Sequence, residues 1–137
     1  MRPRPRVELR RVHGGLELRI DGTQASVYRP GGGVTGVVWW ALASPILLLP
    51  RTRRARVLLL GLAAGSVARA LRVLESDAEV VGVELDRDVV RLARSHFYLD
   101  RLRLELVVVD ALEFLERNLR RFDLIIDDLF IGKPRCV

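Results

Sequence analysis

The stretch VLLLGLAAGS at residues 57–66 decides the fold. Its first four residues form a continuous apolar run, which is typical of a strand buried on both faces of a parallel sheet. The small residues from Gly61 to Gly65 allow a strand to turn sharply into a helix, and helical periodicity begins at Ser66. The sequence therefore predicts a strand, a tight turn and a helix in that order.

The same alternation continues through the rest of the chain. Strands are predicted over 79–83, 104–109 and 122–127, and helices over 66–74, 86–97 and 111–119. This pattern predicts an α/β fold, a doubly wound and mainly parallel Rossmann-like sheet with right-handed crossovers and the strand order 3-2-1-4. Ligands of such sheets bind beyond the carboxyl ends of the strands, so we expect functional residues directly after each strand.

The first 55 residues follow a different pattern. Apolar and polar residues alternate from Val7 to Tyr28 around turn sequences, which predicts two or three short antiparallel strands. A helix that is apolar on nearly all sides is predicted over 36–49 and ends at Pro50. We therefore divide the chain into an N-terminal β-hairpin region (1–33), an apolar helix and linker (34–55) and a nucleotide-binding core (56–137).

The composition excludes several classes of protein. With 137 residues, 50% hydrophobic and 29% charged, the chain has the makeup of one globular domain and not of a disordered segment. The single Cys136 excludes a disulfide scaffold, and we expect it to be an exposed thiol. The apolar stretch 34–49 is shorter than the roughly 20 residues of a membrane span, and no secretory signal is visible, so a cytoplasmic location is expected.

The net charge of +6 comes almost entirely from arginine. These arginines are scattered and lack the interleaved aromatic residues that stack on bases, which favours a solvated surface over a nucleic-acid interface. His13 and His96 have no acidic or cysteine partner at ligand spacing, so no metal site is expected.

Acidic residues follow three of the predicted strands. Glu84 ends the second strand and follows Gly61 by 23 residues, close to the roughly 20 that separate a glycine turn from a ribose-binding carboxylate. Asp110 follows the third strand, where a carboxylate can accept a hydrogen bond from an exocyclic amine such as that of adenine. Asp127 and Asp128 end the fourth strand, and a carboxylate there could hold or deprotonate an amine.

Each of these residues also has a purely structural interpretation. Glu84 could cap a helix or face the solvent, Asp110 could cap the helix that follows it, and the aspartate pair could be a polar strand end. Because neighbouring side chains alternate across a strand, only one of Asp127 and Asp128 can point into a cleft. A nicotinamide-dependent enzyme shares the turn and Glu84, but the turn lacks the G-x-G-x-x-G spacing.

Four stretches together resemble spermidine-synthase-like proteins, which are class I S-adenosylmethionine-dependent transferases of the methyltransferase fold. They are the turn at 57–66, VGVELD at 81–86, VDA at 109–111 and FDLIIDD at 122–128. The hairpin sequence IDGTQ at 20–24 is similar to the small β-domain that precedes the nucleotide-binding domain in polyamine aminopropyltransferases. Leu59 stands where many methyltransferases carry an acid, and aminopropyltransferases are apolar there.

The resemblance implies a methyltransferase-like sheet that is short at its C-terminal side, truncated after the fourth strand. It implies S-adenosylmethionine or its decarboxylated form as the co-substrate, with no metal. The donor would be transferred as an alkyl group, aminopropyl or methyl, to an amine or another small acceptor. By position, the donor would contact Gly61, Ala63, Gly65, Glu84 (ribose), Asp110 and Ala111 (adenine), and the acceptor would contact Gln24 and the catalytic Asp128.

The chain departs from the family at three places. Ala64 replaces an aspartate that helps to hold the aminopropyl donor or the amine, and GVVWW at 36–40 replaces a tyrosine–histidine pair. DLFIG at 128–132 replaces a longer run of acids, a serine or threonine, and a proline. These departures leave a second hypothesis open, a non-catalytic nucleoside-binding or oligomerisation module.

A homo-oligomer is also expected, most simply a dimer that pairs through the predicted helix or the hairpin. The helix carries Trp39, Trp40, Ile46 and Leu47, more apolar surface than one small domain readily buries. We expect a small-molecule substrate as the other partner, and neither a nucleic acid nor a membrane.

Overall fold

The computed structural model describes residues 4–31 and 33–129. Strands β1 (Val7–Val12), β2 (Gly15–Ile20) and β3 (Thr23–Tyr28) form an antiparallel sheet in the order β1-β2-β3. Gly14 and Gly22 lie in the two tight turns with positive φ, as the turn sequences predict. A β-bulge interrupts the pairing of β2 with β3 after Leu18. Cys136 lies outside the described residues, so its predicted exposure stays a prediction.

Helix α1 (Val37–Ala43) is shorter than the predicted helix over 36–49. The chain continues as a 3-10 helix over Ser44–Leu48 with Pro45 in its first turn. Proline has no N–H to donate to the carbonyl four residues earlier, so the α-helical ladder stops there. The Ser44 hydroxyl instead donates to the carbonyl oxygen of Ala41 at 3.1 Å.

The remaining elements form the predicted parallel sheet. They are β4 (Arg56–Leu60), α2 (Ser66–Leu74), β5 (Glu79–Glu84), α3 (Arg87–His96), a second 3-10 helix (Leu99–Leu102), β6 (Glu105–Val108), α4 (Ala111–Arg117) and β7 (Leu124–Asp127). The strands lie side by side in the order β6-β5-β4-β7, with every pair parallel. This arrangement confirms the predicted order 3-2-1-4.

Apolar side chains of the central strand β4 enter two different cores. Val57 and Leu59 belong to a cluster that also takes in residues of α1, α2, α3 and the N-terminal sheet. Leu58 and Leu60 pack in a second cluster with Ala111 and Phe114 of α4. Helices therefore cover both faces of the sheet, which confirms the doubly wound α/β architecture.

Arg72, near the end of α2, ties together the connections on that side of the sheet. Its guanidinium donates to four backbone carbonyl oxygens: Leu102 at 2.7 Å, Ala78 at 2.6 Å, Arg103 at 2.8 Å and Ser76 at 3.1 Å. One side chain thus joins α2 to both of the loops that lead into β5 and β6.

No helix among the residues described here has the length and apolarity required to traverse a lipid bilayer.

Candidate functional site

The carboxyl ends of three strands bring the predicted site residues to one edge of the sheet. The Gly61 N–H donates to the Val83 carbonyl at 3.0 Å, which places the glycine turn beside the end of β5. The Asp128 N–H donates to the Leu60 carbonyl at 2.9 Å, which places the end of β7 on the other side of the turn. Gly61, Glu84 and Asp128 therefore lie along one edge, as the topology predicts.

The turn after β4 has a conformation that favours glycine. Gly61 and Gly65 have φ values of 81° and 89°, and Ala63 also lies in the left-handed region at 47°. A Cβ atom at Gly61 would collide with the carbonyl group of Asp128. Gly61 is thus required both by its backbone angle and by the close approach of β7.

Glu84 holds the turn as well as facing the edge. Its Oε2 accepts a hydrogen bond from the Ala63 N–H at 2.9 Å, and its Oε1 accepts one from the Asp86 N–H at 3.0 Å. Glu84 therefore does not cap helix α3, which is capped by Asp86 through the N–H groups of Asp88 and Val89. Glu84 instead joins the end of β5 to the glycine turn. Because an ionised carboxylate has about four acceptor positions, it retains capacity for the two hydroxyl groups of a ribose.

Asp110 caps the helix that follows it. Its Oδ1 accepts hydrogen bonds from the N–H groups of Leu112 at 2.8 Å and Glu113 at 3.4 Å. Ala111 is buried against the core beneath the cap. Both bonds of the cap are accepted by Oδ1, so capping is compatible with a contact between Oδ2 and a ligand amine.

The two aspartates at the end of β7 have different surroundings. Asp127 is exposed, and its Oδ1 accepts from the Leu129 N–H at 3.0 Å, whereas Asp128 is half-buried. Burial raises the pKa of Asp128 to about 6, and the negative charge of Asp127 adds to the rise. Asp128 can therefore exchange a proton close to neutral pH.

Gln24 is exposed on β3, where it pairs in register with Arg19. The contact between β3 and the glycine turn lies further along the strand. The Ser26 hydroxyl oxygen accepts from the Ala64 N–H at 3.0 Å, and the Ser66 hydroxyl oxygen accepts from the Val27 N–H at 3.2 Å.

Sequence reasoning missed both serines. The available signal was weak, since a single small polar residue in a short strand does not indicate what its side chain contacts. Ala64, which replaces the family's aspartate, is 1% exposed and packs in the main core.

The described residues line two cavities, and the larger one reaches Val109, directly before Asp110. One, of about 430 Å³, is lined by residues of β6, α4 and the following loop, and another, of about 210 Å³, lies near the amino ends of β4, β5 and β6. Neither is lined by Gly61, Glu84 or Asp128. Within residues 4–31 and 33–129, no group of three or more His, Cys, Asp or Glu side chains is placed to hold a metal ion.

Comparison with known proteins identifies the same family as the site residues. The model of the spermine/spermidine synthase domain matches residues 43–137. The chain is 30% identical over 97 residues to the polyamine aminopropyltransferase of Hamiltonella defensa, an alignment that covers 66% of this chain and 33% of that relative. It is 36% identical over 80 residues to the polyamine aminopropyltransferase of Synechococcus sp., covering 54% of this chain and 26% of that relative.

The fold matches a solved structure over most of the chain. The crystal structure of a probable spermidine synthase from Corynebacterium glutamicum superposes with a TM-score of 0.79 at 25% identity, covering 93% of this chain and 50% of that one. The chain thus spans about a third or less of the curated relatives' length and half of the crystallised protein. Because the family domain accounts for well over half of its residues, the chain belongs to the spermine/spermidine synthase family.

Proposed function

We propose that this chain binds decarboxylated S-adenosylmethionine and transfers its aminopropyl group to an amine acceptor. The observation that carries the proposal is the convergence of Glu84, Asp110 and Asp128 on the edge that also holds the glycine turn. A decarboxylated donor is a dication, and amine acceptors are cations at neutral pH. An edge rich in carboxylates attracts both, whereas it would repel the carboxylate of S-adenosylmethionine itself.

The donor would lie across the turn with its nucleoside towards β5 and β6. Glu84 would accept hydrogen bonds from the ribose hydroxyls, and Asp110 with Ala111 would contact the adenine. The lack of side chains at Gly61 and Gly65, and the small side chain of Ala63, would let the sulfur-bearing end approach the backbone closely. Membership of the family supports these roles, because the matched domain, residues 43–137, contains all of these positions.

Asp128 would act on the acceptor. The acceptor nitrogen attacks the carbon next to the sulfonium, a C–N bond forms, the C–S bond breaks, and methylthioadenosine leaves. The ammonium of the acceptor must lose a proton to expose its lone pair, and a half-buried carboxylate with a pKa of about 6 can take it. The chain contributes mainly orientation and the exclusion of water, with Gln24 as a further acceptor contact.

Ala64 separates this chain from a typical spermidine synthase. Since Ala64 packs in the core, no carboxylate reaches the cleft from this position to hold the small diamine or the donor amine. We therefore expect putrescine to be a poor acceptor. A longer or more apolar amine, which gains less from that carboxylate, would be used better.

The proposal is tested by product chromatography with decarboxylated S-adenosylmethionine and a panel of amines. We expect release of methylthioadenosine together with an aminopropylated product, and slow or absent turnover of putrescine. Transfer of a methyl group from S-adenosylmethionine instead would assign the chain to methyl transfer. Rapid turnover of putrescine would show that Ala64 does not limit the acceptor.

A second candidate function is favoured by the same alanine. If loss of the aspartate has removed catalysis, the chain is a nucleoside-binding or oligomerisation module that retains the turn and Glu84. Binding of methylthioadenosine with no turnover of any amine in the panel would identify it. A cytoplasmic location is part of either proposal, and the single cysteine of the sequence is in keeping with a reducing compartment.

A further inference from the structure

The glycine turn contains one strained residue that is not a glycine. Ala63 has a φ of 47°, which is a left-handed conformation. For any L-residue that has a Cβ atom, this conformation is higher in free energy than the right-handed one. Gly61 and Gly65 adopt positive φ without this penalty. Contacts from outside the turn must therefore hold Ala63 in place.

Hydrogen bonds fix the peptide planes on both sides of Ala63. The N–H of Ala63 donates to Glu84 Oε2 at 2.9 Å, which orients the peptide before its Cα. The N–H of Ala64 donates to the Ser26 hydroxyl oxygen at 3.0 Å, which orients the peptide after its Cα. The first bond sets φ of Ala63 and the second sets ψ, so the two bonds together determine its conformation.

Ser26 reaches the turn from a different sheet. Ser26 and Ala64 are each 1% exposed, so water has no access to replace the hydroxyl if it is removed. The other two N–H bonds of the turn, from Gly61 to Val83 and from Gly65 to Leu62, stay within the parallel-sheet core. Among the bonds of the described turn, the one to Ser26 alone comes from the N-terminal sheet.

We propose that Ser26 is a positioning residue for the donor site, through which the N-terminal sheet sets the conformation of Ala63 and hence the orientation of the Glu84 carboxylate. This inference rests on the proposed function, since it assigns Glu84 to the donor nucleoside. When the Ser26 hydroxyl is lost, the peptide between Ala63 and Ala64 is free to rotate. Ala63 then relaxes towards a right-handed conformation and its N–H leaves Glu84.

The test is a set of titrations of the full chain with methylthioadenosine by calorimetry. Ser26→Ala is expected to raise Kd about tenfold, and Ser26→Thr, which keeps the hydroxyl, is expected to restore affinity to within about threefold of the wild type. Ser66→Ala is the matched control. The Ser66 hydroxyl also lies between β3 and the segment after β4, but it bonds the backbone of Val27 and no N–H of the turn. We expect Ser66→Ala to lower the melting temperature and leave Kd within about twofold.

A double-mutant cycle separates positioning from general destabilisation. If Ser26 acts through Glu84, the tenfold effect of Ser26→Ala shrinks to about twofold or less in a Glu84→Gln background. Equal fold-changes in both backgrounds would overturn the inference, as would unchanged affinity of Ser26→Ala. If Ser26→Ala does not fold, Ser26→Cys, similar in shape and a poor acceptor, takes its place in the cycle.

The two levels of the proposal fail differently. Wild-type protein that binds no adenosyl sulfur compound overturns the proposed function and this inference with it. Wild-type binding together with full affinity of the Ser26 variants overturns the inference alone.

Discussion

Asp128 illustrates how neighbouring residues tune one carboxyl group at the edge of the sheet. Its pKa of about 6 lies above the usual range for aspartate because burial disfavours the charged form and Asp127 repels it. At neutral pH the group is mostly a carboxylate that can accept a proton, and below pH 6 it becomes a neutral acid that cannot.

We predict that kcat for transfer to an amine falls as the pH decreases through about 6. Asp128→Asn should lower kcat by about 10²- to 10⁴-fold, the range for a removed general base, with little effect on methylthioadenosine affinity. Asp127→Asn is the control, because removal of its charge should move the acidic limb of the pH profile to lower pH. A profile without this limb, or an active Asp128→Asn variant, would refute the role of Asp128.

The same raised pKa predicts a pH dependence of stability. The folded state binds the Asp128 proton more tightly than the unfolded state, so the free energy of unfolding is greatest when the group is protonated. The contribution of Asp128 to the free energy of unfolding is lost as the pH rises from about 4, the pKa of the group in the unfolded chain, through about 6, its pKa in the folded chain. Thermal unfolding measured across this interval should show a smaller decrease for Asp128→Asn than for the wild type.

The positions of the site residues could be predicted from the sequence, but several of their contacts could not. Glu84, Asp110 and Asp128 follow strands, so topology alone places them at one edge. The bond from Ala63 to Glu84 depends on a left-handed alanine, and alanine gives no sequence signal for that conformation. The buried Ser26 contact depends on tertiary docking, which has no local pattern.

The predicted helices and strands agree closely with the observed ones where the periodicity of apolar residues is strong. Helix α2 occupies the predicted residues 66–74, and the parallel strands lie within two residues of their predicted bounds. The predicted helix over 36–49 was wrong in its second half because Pro45 converts it to a 3-10 helix. The apolar pattern of that stretch continues past Pro45 and so concealed the break.

Arg72 offers a test of how helix α2 is joined to the rest of the sheet. Arg72→Met keeps most of the aliphatic stem but leaves four backbone carbonyls without their donor. We expect the free energy of unfolding to fall by about 2–4 kcal/mol, since bonds to a charged donor are worth more than neutral ones. Urea unfolding measures the change.

Arg91→Met is the matched control for this change. Arg91 is exposed on α3, and its ion pair with Asp88 lies at the surface, where such pairs contribute about 0–1 kcal/mol. Equal destabilisation by the two substitutions would show that the bonds of Arg72 add nothing beyond those of a surface arginine.

At the scale of the whole molecule, the exposed apolar side chains of the described residues include those of the segment 37–48 and of strand β7. Trp39 and Ile46, which the sequence analysis assigned to an exposed apolar surface, are instead buried in the core. The exposed apolar residues of that segment are Val37, Val38, Leu47 and Leu48. Strand β7 lies at the edge of the described sheet, and its Ile125 is 54% exposed.

We propose that the surface formed by Val37, Val38, Leu47 and Leu48 pairs two copies of the chain, since exposed apolar patches commonly mark interfaces. Light scattering should give the mass of a discrete dimer. Val37→Arg with Leu48→Arg should convert it to a monomer, because each residue is 86% exposed and the change leaves the core intact. Leu119→Arg, equally exposed but next to α4, is the control and should remain dimeric. A stable wild-type monomer of 15.5 kDa would contradict the proposal.

The central claim, that the edge formed by the glycine turn, Glu84 and Asp128 binds an adenosyl sulfur donor, is tested most directly by calorimetry. The full chain is titrated in parallel with decarboxylated S-adenosylmethionine, S-adenosylmethionine, methylthioadenosine and NAD. We predict binding of methylthioadenosine and of the decarboxylated donor, weaker binding of S-adenosylmethionine and none of NAD. Glu84→Ala should raise the Kd of methylthioadenosine by about 5- to 150-fold. This corresponds to a loss of about 1–3 kcal/mol of binding free energy, because the ribose hydroxyls are left unpaired. Binding of NAD, with no heat from any adenosyl sulfur compound, would contradict the account.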